Sequence, residues 1–203
     1  ALLAGAAAFV AGRYYIDNRQ PNFSKDYVLY VYPEMTAAQV LDSLQAGAGT
    51  IRPKSVERVF TKMEIDQNMK PGRYVVDTTV PSIYVARMLA YGWQTAQNMT
   101  LSGTLRAKGR IAQRIGSQML VDSAAVAQAL NDEAFLAKYG FTPENVFALI
   151  LADTYQMYWT SSIEEIFDRF KKEYDAFWTE ERLAKAKAQG LNQMEVSIMA
   201  SIV

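Results

Sequence analysis

The chain contains neither cysteine nor histidine. That double absence removes disulfides, thiol nucleophiles, imidazole general bases and the common zinc sites together. Catalysis by these 203 residues would have to use carboxylates, hydroxyls, lysine, tyrosine or amides. A chain without cysteine is compatible with an oxidising compartment and does not require one. Net charge is absent too, since 21 Lys plus Arg balance 21 Asp plus Glu. No basic run exists either, so nothing here draws in nucleic acid from a distance. The sequence shows no internal repeat, no phosphate loop and no metal-spaced carboxylate set, and no cofactor is expected. What is abundant is apolar surface. Half the residues are hydrophobic, with 12 Tyr, 9 Phe and 3 Trp. Such aromatics suit an ordinary core and equally suit the faces of sugar rings.

Residues 1–12 are uncharged and apolar, and Arg13 is the first charge. Twelve apolar residues are too few to cross a bilayer, and a signal-peptide core or a stray helix would look similar. We read them as the outer end of a single transmembrane anchor, followed by a polar juxtamembrane linker over 13–26. The β-branched and aromatic run 27–32 predicts a strand. Thr36 with Gln39 forms a capping box for a helix that stops before Gly47, and a second helix spans about 55–63. Pro71-Gly72 turns the chain into a strand over 73–77. This β-α-α-β order over 27–80 resembles a LysM-like module, although Pro33-Glu34-Met35 stands where its first turn usually carries glycine.

The remainder, 81–203, reads as a mixed α/β domain, which makes the whole chain α+β. A helix runs from Ser82 to Gly92, a strand from Met99 to Leu105 and a helix from Lys108 to Leu120. Asp122 and Asp132 cap two more, and Thr142-Pro143 is a strong helix-start signal. Ser162 with Glu165 caps a long helix to Trp178 whose Ile163, Ile166, Phe167, Phe170, Tyr174 and Phe177 recur at core spacing. Thr179 caps the next helix, and Asn192 with Glu195 starts the last.

Two stretches carry candidate chemistry. Asp153-Thr154-Tyr155-Gln156-Met157-Tyr158-Trp159 brings a carboxylate, a hydroxyl, two phenols and an indole within seven residues. It is either the wall of a glycan cleft, with Tyr158 and Trp159 stacking on sugars, or a strand whose aromatics pack inward. The last helix is apolar on most sides and is expected inside the domain. Ser197, Ala200 and Ser201 make one small-residue stripe on it. That stripe is either a close-packing surface or the floor of a ligand site facing the residue after Val203.

Both stretches resemble the same family. Glu195-Val196-Ser197-Ile198-Met199-Ala200-Ser201-Ile202-Val203 is similar to the segment preceding the catalytic glutamate of the endolytic murein transglycosylases, the YceG-like family. Asp153-Thr154-Tyr155 matches that family's Pro-Asp/Asn-Thr-Tyr signature, with Ala152 in place of the proline. Leu101-Ser102-Gly103-Thr104-Leu105-Arg106 resembles the form found in Bacteroidetes members. Phe147-Ala148 departs from the Glu-Gly that many members carry.

The resemblance implies cleavage of the β-1,4 bond between N-acetylmuramic acid and N-acetylglucosamine in peptidoglycan, leaving 1,6-anhydro ends. It implies that the chain stops just before its catalytic Glu, so no catalytic residue is expected within it. Asp153, Thr154, Tyr155, Tyr158, Trp159, Ser197 and Ser201 are the expected substrate-binding residues. The implied setting is a single-pass protein of the bacterial inner membrane with its bulk in the periplasm. Its partners would be glycan strands, the membrane through the N-terminal anchor, and cell-wall synthases, with no nucleic acid. A non-catalytic glycan-binding scaffold remains open. An aminodeoxychorismate lyase using pyridoxal phosphate ranks last, because no glycine-rich loop lies near any lysine.

Overall fold

The β-branched and aromatic run Tyr27–Val31 forms β1, which pairs antiparallel with β2, Gly72–Val76, in a computed structural model that describes residues 2–103 and 107–200. Between the strands lie α2 (Ala37–Ser43), α3 (Pro53–Lys62) and the single turn α4 (Ile65–Asn68). The expected β-α-α-β order is therefore present, with one short helix added. The Thr36 hydroxyl accepts from the Gln39 N–H at 3.3 Å and the Thr36 N–H donates to Gln39 Oε1 at 2.8 Å, closing the capping box.

The helix does not stop before Gly47. It widens into a π-helical turn over Leu44–Ala48 and ends at Gly49, whose φ is 63°. Gly47 serves closeness instead: a Cβ there would lie 2.2 Å from Cε2 of the Tyr27 ring. Only glycine lets the turn sit against that ring.

The first compact unit covers residues 1–96 and so extends past the expected break after Val80. The reason is α5 (Ser82–Tyr91), whose Val85, Ala86 and Leu89 are buried in the same core as Leu29, Val40 and Val56. The expected linker over 13–26 is likewise part of this unit. α1 runs unbroken from Leu2 to Arg19 and packs beside α3 and α5. Asp17, 9% exposed, accepts from the Ser55 hydroxyl at 2.6 Å and from Arg58 Nη2 at 2.6 Å. Asn22 follows, buried, donating to the Ser82 hydroxyl at 2.8 Å and accepting from the Arg52 N–H at 2.8 Å. Asp17 and Asn22, which read as part of a solvated linker, are spent inside the protein, while Arg19, Ser24, Lys25 and Asp26 stay exposed. Among the described residues no helix is long and apolar enough to cross a membrane.

The second unit covers 97–203. β3 (Gln97–Leu101) pairs antiparallel with β4 (Asp153–Met157), and Met99 lies opposite Tyr155. Residues 104 and 105 of the expected strand lie outside the described residues. Four short elements follow β3: α6 (Lys108–Gly116), α7 (Ser123–Ala129), α8 (Glu133–Ala137) and a 3-10 turn at Val146–Ala148. Asp122 and Asp132 cap α7 and α8 by accepting from Ala124 N–H and Phe135 N–H.

No helix begins at Thr142-Pro143. The Thr142 hydroxyl donates to Glu144 at 2.7 Å and the Asn145 amide oxygen takes the Thr142 N–H at 2.7 Å. The groups that would cap a helix close a tight turn instead.

After β4 come α9 (Ile163–Phe177), α10 (Glu180–Ala188) and α11 (Gln193–Ala200). α9 drives Ile166, Phe167, Phe170 and Tyr174 into the core, as its spacing predicts. Phe177 stays outside, 39% exposed under the Arg182 guanidinium, and its neighbour Trp178 is buried in its place. α11 has its expected cap, with Asn192 N–H to Glu195 at 2.8 Å and Glu195 N–H to Asn192 at 2.9 Å. One side rests on α10 and the 3-10 turn, Met194 and Val196 are half-buried, and Ile198 is 56% exposed. Its near-uniform apolar surface predicted burial all round, and among the described residues only one side is covered.

Candidate functional site

β4 sorts its side chains by alternation. Tyr155 and Met157 point into the core, and Thr154 and Gln156 are exposed on the other face. Opposite them on β3, Thr100 pairs with Thr154 and Asn98 with Gln156. The two threonine hydroxyls stand 3.1 Å apart. The Gln118 amide brackets Thr100, accepting from its N–H at 2.8 Å and donating to its carbonyl at 3.1 Å. Beyond the strand's end Tyr158 is 53% exposed. The result is a polar sheet face of hydroxyls and amides, with the exposed Asp153 at the start of the strand, whose Oδ1 accepts from the Thr154 N–H at 2.7 Å.

Of the residues expected to touch substrate, Asp153, Thr154 and Tyr158 are thus on the surface. Tyr155 and Trp159 are not. Tyr155 is 1% exposed, its hydroxyl donates to the Leu151 carbonyl at 2.6 Å, and its ring meets Phe170 edge-on at 4.9 Å. Trp159 is buried, and its carbonyl accepts the Leu120 N–H at 2.9 Å. Both hold the strand in place and neither forms a cleft wall. Ser197 is half-buried and its hydroxyl donates to the Gln193 carbonyl of its own helix at 3.0 Å, the ordinary back-bond of a helical serine. Ser201 lies outside the described residues.

The reading by composition missed Gln156, Thr100 and Asn98. Strict alternation along β4 would have found Gln156, since it shares the face of Thr154. It also missed the charges around the Tyr155 hydroxyl. Burial, then the Asp153 and Glu173 carboxylates, push that phenol well above its usual range, with Arg169 acting in the opposite sense. Arg169 is itself paired with Glu173 at 2.8 Å. Tyr155 therefore stays neutral and serves as a fixed post.

The chemistry this face offers is binding. Hydroxyls and amides can exchange hydrogen bonds with a polyhydroxylated ligand, and the exposed phenol can stack on it. The 3-10 turn leading towards β4 is the element on which α11 rests, so the sheet face and the last helix belong to one unit. Phe147 on that turn is 37% exposed. Among the described residues no group of three or more Asp or Glu is placed to hold a metal ion.

No curated protein matches the chain. Among solved structures it is similar to a crystal structure of a YceG-like protein from Listeria monocytogenes, at 15% identity and a TM-score of 0.42. That alignment covers 82% of this chain and 60% of the other, so the chain spans under two thirds of that protein's length. The YceG-like family model matches residues 29–203, which is the first unit from residue 29 onward and all of the second. The chain belongs to the YceG-like family.

Proposed function

We propose that the protein is part of an endolytic peptidoglycan lytic transglycosylase. The observation that carries this reading is the family match over residues 29–203. In the proposed reaction a carboxylic acid protonates the oxygen leaving the muramic acid anomeric carbon. The resulting carboxylate then takes the proton of the sugar's own C6 hydroxyl, which attacks the anomeric carbon and closes the 1,6-anhydro ring. No water is activated, so the second carboxylate of ordinary glycosidases is not required. A chain without histidine is consistent with such a one-acid mechanism. In this reading the acid is a Glu contributed by chain beyond Val203. Asp153, Thr154 and Tyr158 bind the glycan, and Gln156 and Thr100 are added to that set.

The same reading includes an inner-membrane anchor with the bulk of the chain in the periplasm. Its support is the uncharged run of α1 up to Gly12, exposed from Ala4 onward. The LysM-like assignment of 27–80 belongs to the reading as well, supported by the β-α-α-β order.

The test is digestion of isolated sacculi by the natural full-length protein, with mass spectrometry for anhydro-muropeptide ends. Internal anhydro ends are expected, and they should vanish when the expected Glu is replaced by Gln. Full-length protein that binds sacculi and releases no anhydro ends would be a glycan-binding scaffold.

A further inference from the structure

Unit 1 carries an exposed surface that the proposed reaction does not use, and the course of α1 tells which way it faces. From Asn22 back to Asp17, the partner on α3 moves forward, from Arg52 at its cap to Ser55 and Arg58. α1 therefore runs antiparallel to α3. α5 runs parallel to α3, because Ser82 at its start meets Ser55 at 2.8 Å, while Tyr91 at its end borders the same depression as Lys62. By the helical rise per residue, Phe9 lies about 12 Å beyond Asp17, and Lys62 about 10 Å beyond Ser55. The exposed apolar run of α1 thus emerges at the end of unit 1 that holds the last turns of α3 and α5.

That end is aromatic and cationic. Tyr91 is 62% exposed and Trp93 47%, with their ring centroids 5.5 Å apart. Gly92, at φ 67°, turns the chain so that the Trp93 N–H donates back to the Met88 carbonyl at 3.0 Å. The Lys70 N–H donates to the Leu89 carbonyl at 2.9 Å, which brings Lys70 to the end of α5. Lys62, Lys70 and Tyr91 border a depression of about 450 Å³, and Arg87 is exposed one turn behind Tyr91. Three cations therefore stand against one carboxylate of the depression, Glu64, in a chain whose net charge is zero. On α1 itself Tyr14 and Tyr15 are exposed, and the Arg13 guanidinium lies 4.2 Å over the Phe9 ring.

We propose that this end of unit 1 is a docking surface for an anionic bilayer, seated on the lipid headgroups where α1 enters. Tyr and Trp rings favour the headgroup level, where one part of the ring meets hydrocarbon and the other stays wet. Each Lys or Arg near an anionic leaflet adds attraction, and Lys62 and Lys70 can meet a lipid phosphate at the depression they border. Glu64 stays at that wet level, where a carboxylate need not lose its water. Entry of α1 rests on the anchor included in the function proposed above; the direction of α1 and the make-up of this surface do not.

The chain carries its own probe, since Trp159 and Trp178 are 5% and 8% exposed and Trp93 is the accessible indole. The experiment adds the chain to phosphatidylcholine vesicles with and without phosphatidylglycerol, brominated at different acyl depths, and follows tryptophan fluorescence. Trp93 should shift to the blue and be quenched most by bromine nearest the headgroups. Lys62→Gln with Lys70→Gln should lower the preference for anionic vesicles at least tenfold at low salt, one surface cation being worth about fivefold. The melting temperature should not move. Lys185→Gln, which removes an exposed cation of unit 2, should leave the preference unchanged. Trp93→Phe should remove the quenching and leave the vesicles bound.

Vesicle binding with Trp93 unquenched would overturn this surface and leave the anchor standing. Equal binding to neutral and anionic vesicles, or a Trp93 response to soluble glycan fragments and none to vesicles, would overturn it as well. No vesicle binding at all would overturn surface and anchor together. Cleavage is scored separately by anhydro ends, so the transglycosylase reading stands or falls apart from all of these.

Discussion

The two units solve one structural problem with one device and then diverge. Each has a two-stranded antiparallel sheet of five-residue strands, and the middle residue of the second strand is a buried tyrosine. Tyr74 sends its hydroxyl to the Lys70 carbonyl at 2.8 Å, and Tyr155 sends its own to the Leu151 carbonyl at 2.6 Å, each four residues back. In both cases the phenol satisfies the backbone of the turn that feeds the strand, so the strand enters the sheet at a fixed angle. Around that shared post the interiors differ. Unit 1 is cross-tied by Asp17, Arg58, Ser55, Ser82 and Asn22. Unit 2 is held by ring contacts among Phe135, Tyr139, Phe167, Phe170 and Tyr155. A two-stranded sheet is too small to stand alone. One unit adds long-range polar ties and the other adds aromatic mass.

The largest effect should come from removing that mass. Phe170 is fully buried and touches both Phe167 and Tyr155, so Phe170→Ala should cost about 3–5 kcal/mol. Urea unfolding followed by near-ultraviolet circular dichroism would measure it. A loss under ~1 kcal/mol would show that the ring cluster is not what holds unit 2.

Next come the two posts. Tyr74→Phe and Tyr155→Phe each leave a carbonyl without its partner and should each cost about 1–2 kcal/mol. Equal losses would support the comparison, and a loss at one site alone would break it. Burial also pushes the Tyr74 phenol up to about 12 and Tyr155 higher still. A raised folded pKa means stability that is complete below the ordinary value of about 10 and is lost as pH rises through the folded value. Ultraviolet titration of the native protein should therefore show Tyr155 ionising last, with Tyr74 and Tyr139 late beside it.

The same comparison separates what could be read in the chain from what could not. The capping boxes at Thr36/Gln39, Ser162/Glu165 and Asn192/Glu195 all form, because each is settled within three residues. The alternation of β1 and β2 and the apolar face of α9 are legible for the same local reason. Unit 1's ties are not. Asp17 and Arg58 are 41 residues apart, and nothing near Asp17 distinguishes a buried acid from a solvated one. In the candidate site, Asp153 and Thr154, expected to bind substrate, lie on the surface. Tyr155 and Trp159 are buried, the inward-packing alternative that the sequence left open, and a family signature does not say which side of a strand a residue takes. For α11 composition suggested an interior helix, while burial depends on neighbours that composition does not reveal.

Acid should act on unit 1 through Asp17. Burial opposes its ionisation, but the Arg58 and Ser55 hydrogen bonds and the charges of Arg58 and Arg13 outweigh that and hold its carboxyl below the usual value. A depressed folded pKa gives stability that is present above the unfolded value near 3.8 and is lost as pH falls through the folded one. Since the Arg58 side chain is 34% exposed, the pair is screened and is worth about 1 kcal/mol. Protection factors of the amides along 13–19, measured against intrinsic exchange at the same pH, should fall below about pH 4 in the wild type. In Asp17→Asn they should already be lower at about pH 7.

The smallest effect on stability is expected on the exposed sheet face, and there the discrimination is sharpest. Thr154→Val keeps the β-branched shape that β4 prefers and removes only one hydroxyl of the 3.1 Å pair with Thr100. Because both residues reach solvent, water replaces the lost partner and the melting transition should shift by no more than ~0.5 kcal/mol. If that hydroxyl belongs to a glycan-binding face, release of anhydro ends by the full-length protein should nonetheless fall several fold. A buried post and an exposed hydroxyl on neighbouring residues would then have opposite signatures: Tyr155→Phe losing stability first, Thr154→Val losing turnover first. Identical behaviour of the two variants would mean that the Asp153–Tyr155 segment is retained for folding alone, and the glycan face would have to be sought elsewhere on the unit.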